Sequence, residues 1–217
     1  DKTVILFSLE MSSSQLIDRL ICSIGNIDSH LYRSGELTDS DYDKYSQTLS
    51  SLSGKKLFID DKPNLTVGEI KSKCRKIKRN YGLDLVIIDY LQQIQSESDK
   101  NIYNRNEEIG QITRSLKIMA RELNIPVVVL SQLSRAVEQR QDKRPMLSDL
   151  RDSGSIEQDA DVVAFLYRDD YYNEETEKKN IAEVIIGKHR NGPVGKVELL
   201  FLKEYSKFVS LSNIDLE

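Results

Sequence analysis

Short apolar runs and longer amphipathic ones alternate along the first part of the chain. Thr3–Leu9, Lys56–Asp60, Leu83–Asp89 and Pro126–Ser131 are compact runs rich in Val, Ile and Leu, and they read as strands. Leu83–Asp89 (LDLVIID) is the most continuous of them, which marks a central strand covered on both faces. Helical spacing fills the intervals. Ser12–Ile24 places Leu16, Ile17, Leu20, Ile21 and Ile24 on one stripe, and Asp39–Leu52 is a more polar helix. Thr66–Tyr81 opens with Thr66 and Glu69 at capping-box spacing and closes at Gly82. Asn104–Leu123 is amphipathic through Ile109, Ile112, Leu116, Ile118 and Met119. This alternation predicts βαβ units, hence a mostly parallel sheet with helices on both faces. Val162–Tyr167, Ala182–Gly187, Lys196–Leu202 and Phe208–Leu211 then follow one another without long helices. They predict an antiparallel meander appended to the sheet. The expected architecture is a three-layer α/β fold, with residues 1–217 forming a single domain. Arg168–Asn180 is a charged loop, expected to be mobile.

Composition narrows the picture. With 217 residues, the chain is long enough for a sizeable core. No apolar run approaches the ~18 residues of a membrane span. Cys22 and Cys74 each fall on an apolar helical stripe, so buried reduced thiols are expected. The dispersed His and Cys residues give no zinc spacing. A net charge of −4 argues against a broad surface for coating nucleic acid, but leaves room for a local basic channel. The chain begins in mid-pattern at Asp1, so it is expected to be a piece of a longer protein.

Open α/β sheets bind ligands outside the carboxyl ends of their strands. Here the runs end at Glu10, at Asp60 and Asp61, at Asp89, and at Ser131 and Gln132. Asp89 stands where a Walker B site needs a carboxylate to hold the magnesium of a bound nucleotide. Glu10 has the chemistry to orient and deprotonate a water, and Gln132 to sense a γ-phosphate without repelling it. Blander readings stand beside these: Glu10 as a helix-entry carboxylate, Gln132 as an ordinary loop amide, Asp89 as a turn residue. No GxxxxGK[ST] phosphate loop occurs; Ser53-Gly54-Lys55-Lys56 is the nearest string.

Cations supply the remaining candidates. In Lys188-His189-Arg190-Asn191-Gly192-Pro193, Lys188 and Arg190 point the same way along an extended chain. That arrangement suits a triphosphate on a neighbouring subunit, or equally a solvated hairpin tip turned by Asn191-Gly192. Ser134–Leu147 is locally basic through Arg135, Arg140, Lys143 and Arg144. Leu150–Ile156 sets Arg151 before Ser153-Gly154-Ser155, small residues that let backbone N–H groups approach a phosphate. Neither loop holds an aromatic residue, so any nucleic-acid contact would follow the backbone without sequence preference. Both also read as flexible surface loops. The basic helix segment Lys71–Arg79 reads as a solvated face.

Taken together, FSLEM (Phe7–Met11), LVIIDYLQ (Leu85–Gln92), LSQLSR (Leu130–Arg135), EQRQDKRP (Glu138–Pro145), SDLRDSGSIEQDAD (Ser148–Asp161) and KHRNGP (Lys188–Pro193) resemble the DnaB-type replicative DNA helicases. The resemblance is to their carboxyl-terminal RecA-like motor domain and covers nearly the whole chain. It implies a homohexameric ring around single-stranded DNA, driven by hydrolysis of ATP or another NTP with Mg2+ between subunits. Glu10 then resembles the catalytic carboxylate, Asp89 the Walker B Asp and Gln132 the γ-phosphate sensor. Lys188 and Arg190 resemble the trans-acting lysine and arginine finger, and Arg19 the family arginine near the nucleotide. Arg151, Asp152 and Gly154 match the loop that holds the DNA backbone, with Arg135 and Arg140 in the neighbouring basic loop. His189, Ala136 and Asp152 stand where many relatives carry Gln, Gly and Glu. The resemblance further implies a helicase loader and a primase as partners, a cytoplasmic location and no membrane. It places the phosphate loop before Asp1, so the chain by itself is expected to bind nucleotide weakly or not at all. The rival readings are a RecA-like recombinase or clock-type ATPase, and a non-catalytic segment that only binds loader or primase.

Overall fold

The computed structural model describes residues 2–96 and 105–211, and of residues 151–154 the backbone only. It divides into two compact units.

The first unit is built on a parallel sheet. β1 (Val4–Ser8), β2 (Leu57–Asp60), β3 (Leu85–Asp89) and β4 (Val127–Val129) line up in the order β2-β1-β3-β4. The register sets Ser8 opposite Asp89 and Phe7 opposite Asp60. Each strand lies within its expected run. The runs overreach the strands by one or two residues at an end. Alternation along β1 and β3 sends Ile5, Phe7, Val86 and Ile88 into the core. There they meet Ile70 and Cys74 of α4 (Val67–Tyr81), and Ile109, Ile112, Leu116 and Met119 of α5 (Arg105–Leu123). Each such fully buried side chain contributes about 2 kcal/mol. Leu85 and Ile87, on the other face, are only half-buried. Burial in this apolar layer pushes the Cys74 thiol up to about 12, which keeps it protonated and inert. Thr66 and Glu69 form the expected reciprocal capping box at the start of α4. Asn104, the expected first residue of the α5 helix, lies outside the described residues.

The second unit combines three helices with the meander. α1 (Ser13–Gly25) and α3 (Asp39–Ser53) match the expected helices within a residue. Between them α2 (Ser29–Ser34) is an addition, capped by Asp28 and ended by Gly35 at φ 76°. Ile21, Cys22 and Ile27 form its small core with Tyr32, Leu37, Tyr45 and Leu52. β5 (Val162–Arg168), β6 (Ile181–His189), β7 (Gly195–Leu202) and β8 (Lys207–Ser210) make an antiparallel sheet of their own, in sequence order. Helices and sheet are joined where Ser29 N–H donates to Glu204 O at 2.9 Å and Lys207 Nζ donates to Asn26 Oδ1 at 2.8 Å.

The charged segment Arg168–Asn180 is tied down. Asp169 accepts from Tyr167 Oη and Thr176 Oγ1 at 2.7 and 2.5 Å. Asp170 pairs with Arg168 and Lys203 and accepts from Asn180 N–H. Burial by itself would raise the Asp170 carboxyl, but these donors outweigh it and hold it well below the usual range.

Candidate functional site

In the first unit, the carboxyl ends of β1, β3 and β4 bring Glu10, Asp89 and Gln132 to one edge. Leu9 N–H donates to Asp89 O at 2.8 Å, so Glu10 leaves β1 beside the end of β3. The chain leaves β3 through a cis Asp89–Tyr90 peptide. Glu10 is exposed and Asp89 half-buried, and neither carboxylate has a hydrogen-bond or ion-pair partner among the described residues. Across the edge, Leu91 N–H donates to Leu130 O at 2.9 Å, which brings the β4 exit beside the segment after β3.

Gln92, the last residue of the LVIIDYLQ motif but not among the expected site residues, closes this join. Its amide donates to Ser131 Oγ at 3.0 Å and to Gln132 O at 3.2 Å, and accepts from Gln132 N–H at 3.3 Å. Gln132 is thus held by its backbone. Its exposed side chain makes no hydrogen bond to another described residue. Arg105, at the start of α5, donates to Gln92 O at 2.6 Å and pairs with Glu108. Gln92, Arg105, Gln132, Ser134 and Asp149 line a cleft of about 200 Å³ floored by Ile109 and Leu150.

The acids at the end of β2 do not join the edge as ligands. Asp60 pairs with Lys73 of α4 and accepts from Lys62 N–H at 3.2 Å. Asp61 accepts from Ser13 N–H at 2.7 Å, which holds its carboxyl below the ordinary range. Both are occupied by local structure.

The basic loop is folded. Arg135–Gln139 is a 3-10 turn that buries Val137. Arg140 forms a forked pair with Asp149 at 2.9 and 2.8 Å, and Asp149 is buried. Arg140 is therefore committed to an internal partner, whereas exposed Arg135 has none among the described residues. Arg151 and Asp152 lie by backbone in the 3-10 turn Leu147–Ser153, and Gly154 opens α6 (Gly154–Asp159); the side chains of Arg151 and Asp152 lie outside the described residues. α6 docks on α5 through Thr113 Oγ1, which donates to Asp159 Oδ2 at 2.8 Å.

Arg19, Lys188 and Arg190 belong to the second unit. Arg19 is exposed on α1. Lys188 lies in β6 opposite Val163, and Arg190 just beyond it. Arg190 N–H donates to Asp161 O at 2.9 Å, and its guanidinium lies 3.7 Å from the Asp161 carboxylate. The His189 ring packs against Gly192, where a Cβ would fall 2.6 Å from the ring. A larger residue at this position would require the exposed His189 ring to turn aside.

Arg144, the last cation of the basic Ser134–Leu147 segment, belongs to this unit and is also committed to structure. It donates to the buried Glu183 carboxylate from Nε at 3.0 Å and Nη2 at 3.2 Å, and lies over the Tyr167 ring.

A parallel α/β sheet with carboxylates just outside its strand ends, and without partners among the described residues, has the arrangement in which open-sheet folds hold ligands. The family model described as DnaB-like helicase C terminal domain matches residues 1–210, and the chain belongs to that family. It is 57% identical over 211 residues to the replicative DNA helicase DnaB of Geobacillus stearothermophilus, covering 97% of this chain and 46% of that protein. The replicative DNA helicase DnaC of Bacillus subtilis (strain 168) matches with the same identity and coverage. The chain therefore spans about half the length of the curated relatives it matches. A solved structure of a DnaB-like replicative helicase and its interactions with primase superposes with a TM-score of 0.92 at 51% identity, covering 97% of this chain and 51% of that one. A RadB recombinase superposes over 96% of this chain and 80% of its own with a TM-score of 0.50 at 15% identity, a likeness of fold alone. The resemblance drawn from the motifs and the expected α/β architecture are both borne out.

Proposed function

We propose that the chain acts, as one domain over residues 1–217, as the NTP-driven motor of a hexameric replicative DNA helicase that translocates on single-stranded DNA and unwinds duplex. The observation that carries this reading is the meeting of Glu10, Asp89 and Gln132 on adjacent strand ends in a domain of the DnaB-like family. In this reading Glu10 orients the attacking water and accepts its proton. Gln132 reports the γ-phosphate through an amide that offers both a donor and an acceptor. Two hard-oxygen carboxylates without a partner among the described residues fit a magnesium ion held by Asp89, directly or through water. When bound, that ion would neutralise charge on the phosphate oxygens. Lys188 and Arg190 would act on the nucleotide of the neighbouring subunit, and Arg19 near its own. Arg135, Arg151, Asp152 and Gly154 would follow the DNA backbone, with Arg140 holding the loop in shape through Asp149. Helicase loader and primase are the proposed protein partners.

Glu10→Gln in the full-length protein tests the reading, because the amide keeps the shape and loses the basicity. Turnover should fall by about 10²-fold or more, while ATP affinity, followed with a fluorescent analogue, changes little. Equal loss of both would assign Glu10 a structural role. A wild-type protein without DNA-stimulated ATP hydrolysis or fork unwinding would overturn the reading itself.

A further inference from the structure

We propose that Gln92 is the positioning residue of the γ-phosphate sensor, and that Arg105 anchors this clamp to α5. The inference rests on the reading of Gln132 given above. The β3–β4 ladder runs out at this point: β4 ends at Val129, and the last backbone bond across the join is Leu91 N–H to Leu130 O. Past it, the chain that carries Gln132 would be free to fan. The Gln92 side chain replaces the missing rung. It bonds both the N–H and the C=O of Gln132, as a paired strand would, and adds Ser131 Oγ.

Only an amide can do this. Each end of the clamp needs the opposite polarity, a donor toward Gln132 O and an acceptor toward Gln132 N–H. A carboxylate would face Gln132 O with lone pairs on both sides. The clamp is fixed in turn, because Arg105 holds the Gln92 carbonyl at 2.6 Å. Arg105 opens the same helix that holds α6 through Thr113 and Asp159, directly after the Leu147–Ser153 turn. With its backbone fixed at two points, the position and direction of the Gln132 Cα–Cβ bond are set, and only the side-chain torsions remain to be chosen on meeting the phosphate. Such preorganisation matters for a group that must meet one oxygen of a transferring phosphoryl.

The test uses the full-length assembled protein with Gln92→Ala, Gln92→Glu, Gln132→Ala and the Gln92→Ala/Gln132→Ala double variant. Gln92→Glu keeps size and hydrogen-bonding capacity at one end, so it reports on the clamp even if Gln92→Ala folds poorly. Both single Gln92 variants should lower kcat for ATP hydrolysis by about tenfold, as expected when a transition-state contact is misplaced. KM should stay within about twofold, as expected when the misplaced contact is made only in the transition state. Because Gln92 acts through Gln132, the double variant should be no slower than Gln132→Ala alone. Multiplicative losses in the double variant, or a raised KM with kcat intact, would overturn the proposal. If Gln132→Ala itself leaves kcat unchanged, the sensor reading fails and the positioning role falls with it. A crippled Gln132→Ala beside a normal Gln92→Glu would sink the positioning role alone.

Discussion

Glu183 shows how single residues set the chemistry of the second sheet. Its carboxylate is buried, and the β6–β7 register sets it directly opposite Glu198. Like charges opposed across a ladder repel. Lys196 and Lys178 resolve the conflict by bridging both acids, and Arg144 adds two charge-assisted hydrogen bonds. The Arg144 guanidinium, followed by Lys196, holds the Glu183 carboxyl down to about 2 against an ordinary 4.5. A carboxyl depressed in the folded state binds its proton more weakly there than in the unfolded chain. Its stabilisation is therefore complete above about 4.5 and is lost as pH falls toward 2. By linkage it amounts to roughly 3 kcal/mol. Glu183→Gln should be less stable than wild type by that order at neutral pH, and denaturant midpoints measured between pH 6 and 2.5 should converge as pH falls. A gap independent of pH would assign the loss to packing. Sequence reading finds Glu10, Asp89 and Gln132 because a buried strand must end, and the residue after an apolar run is visible. It does not find the partners of Arg140, Arg144 or Gln92. Asp149, Glu183 and Ser131 are brought to them by the fold, from 9, 39 and 39 positions away.

Elements were legible in proportion to their periodicity and their caps. The Thr66–Glu69 box and the apolar stripes of α1 and α5 specify their helices locally. α2 has six residues and no buried side chain, so no stripe announces it; only Asp28 and Gly35 mark its ends. The basic segment after β4 looks like an open loop by charge, yet buried Val137 and the Arg140–Asp149 fork fold it. Packing of α5 on α6 gives a further prediction. A Cβ at Gly110 would fall 3.1 Å from Ser155 Oγ and 3.3 Å from Ser155 Cβ. Alanine for glycine within a helix adds about 1 kcal/mol on propensity, but overpacking costs roughly 1–3 kcal/mol. The overpacking wins here because Ser155 Cβ is fixed to the α6 backbone and cannot swing away. Gly110→Ala should lower stability by about 1 kcal/mol. Adding Ser155→Gly should relieve the contact and return most of that loss, as urea midpoints would record. Stabilisation by Gly110→Ala alone would show that α6 yields freely.

For the whole molecule, the candidate residues fall into two sets on two compact units. Glu10, Asp89 and Gln132 share a sheet edge in the first, while Arg19, Lys188 and Arg190 belong to the second. In the proposed ring of identical chains, one subunit's hairpin cations would serve the next subunit's carboxylates, and a complete site would take residues from two copies. Rings made only of Arg190→Ala subunits should then hydrolyse ATP about 10³-fold more slowly, the usual scale for a lost arginine finger. Rings made only of Glu10→Gln subunits should be equally silent. Mixed rings differ, because some interfaces pair an intact Glu10 with an intact Arg190. Mixing the two variants should therefore restore part of the activity, rising to a maximum near equal proportions. Native mass spectrometry would verify that subunits exchange. Confirmed mixed rings that remain inactive at every ratio would place both residues in the same subunit's site and remove the trans role of the Lys188–Pro193 hairpin.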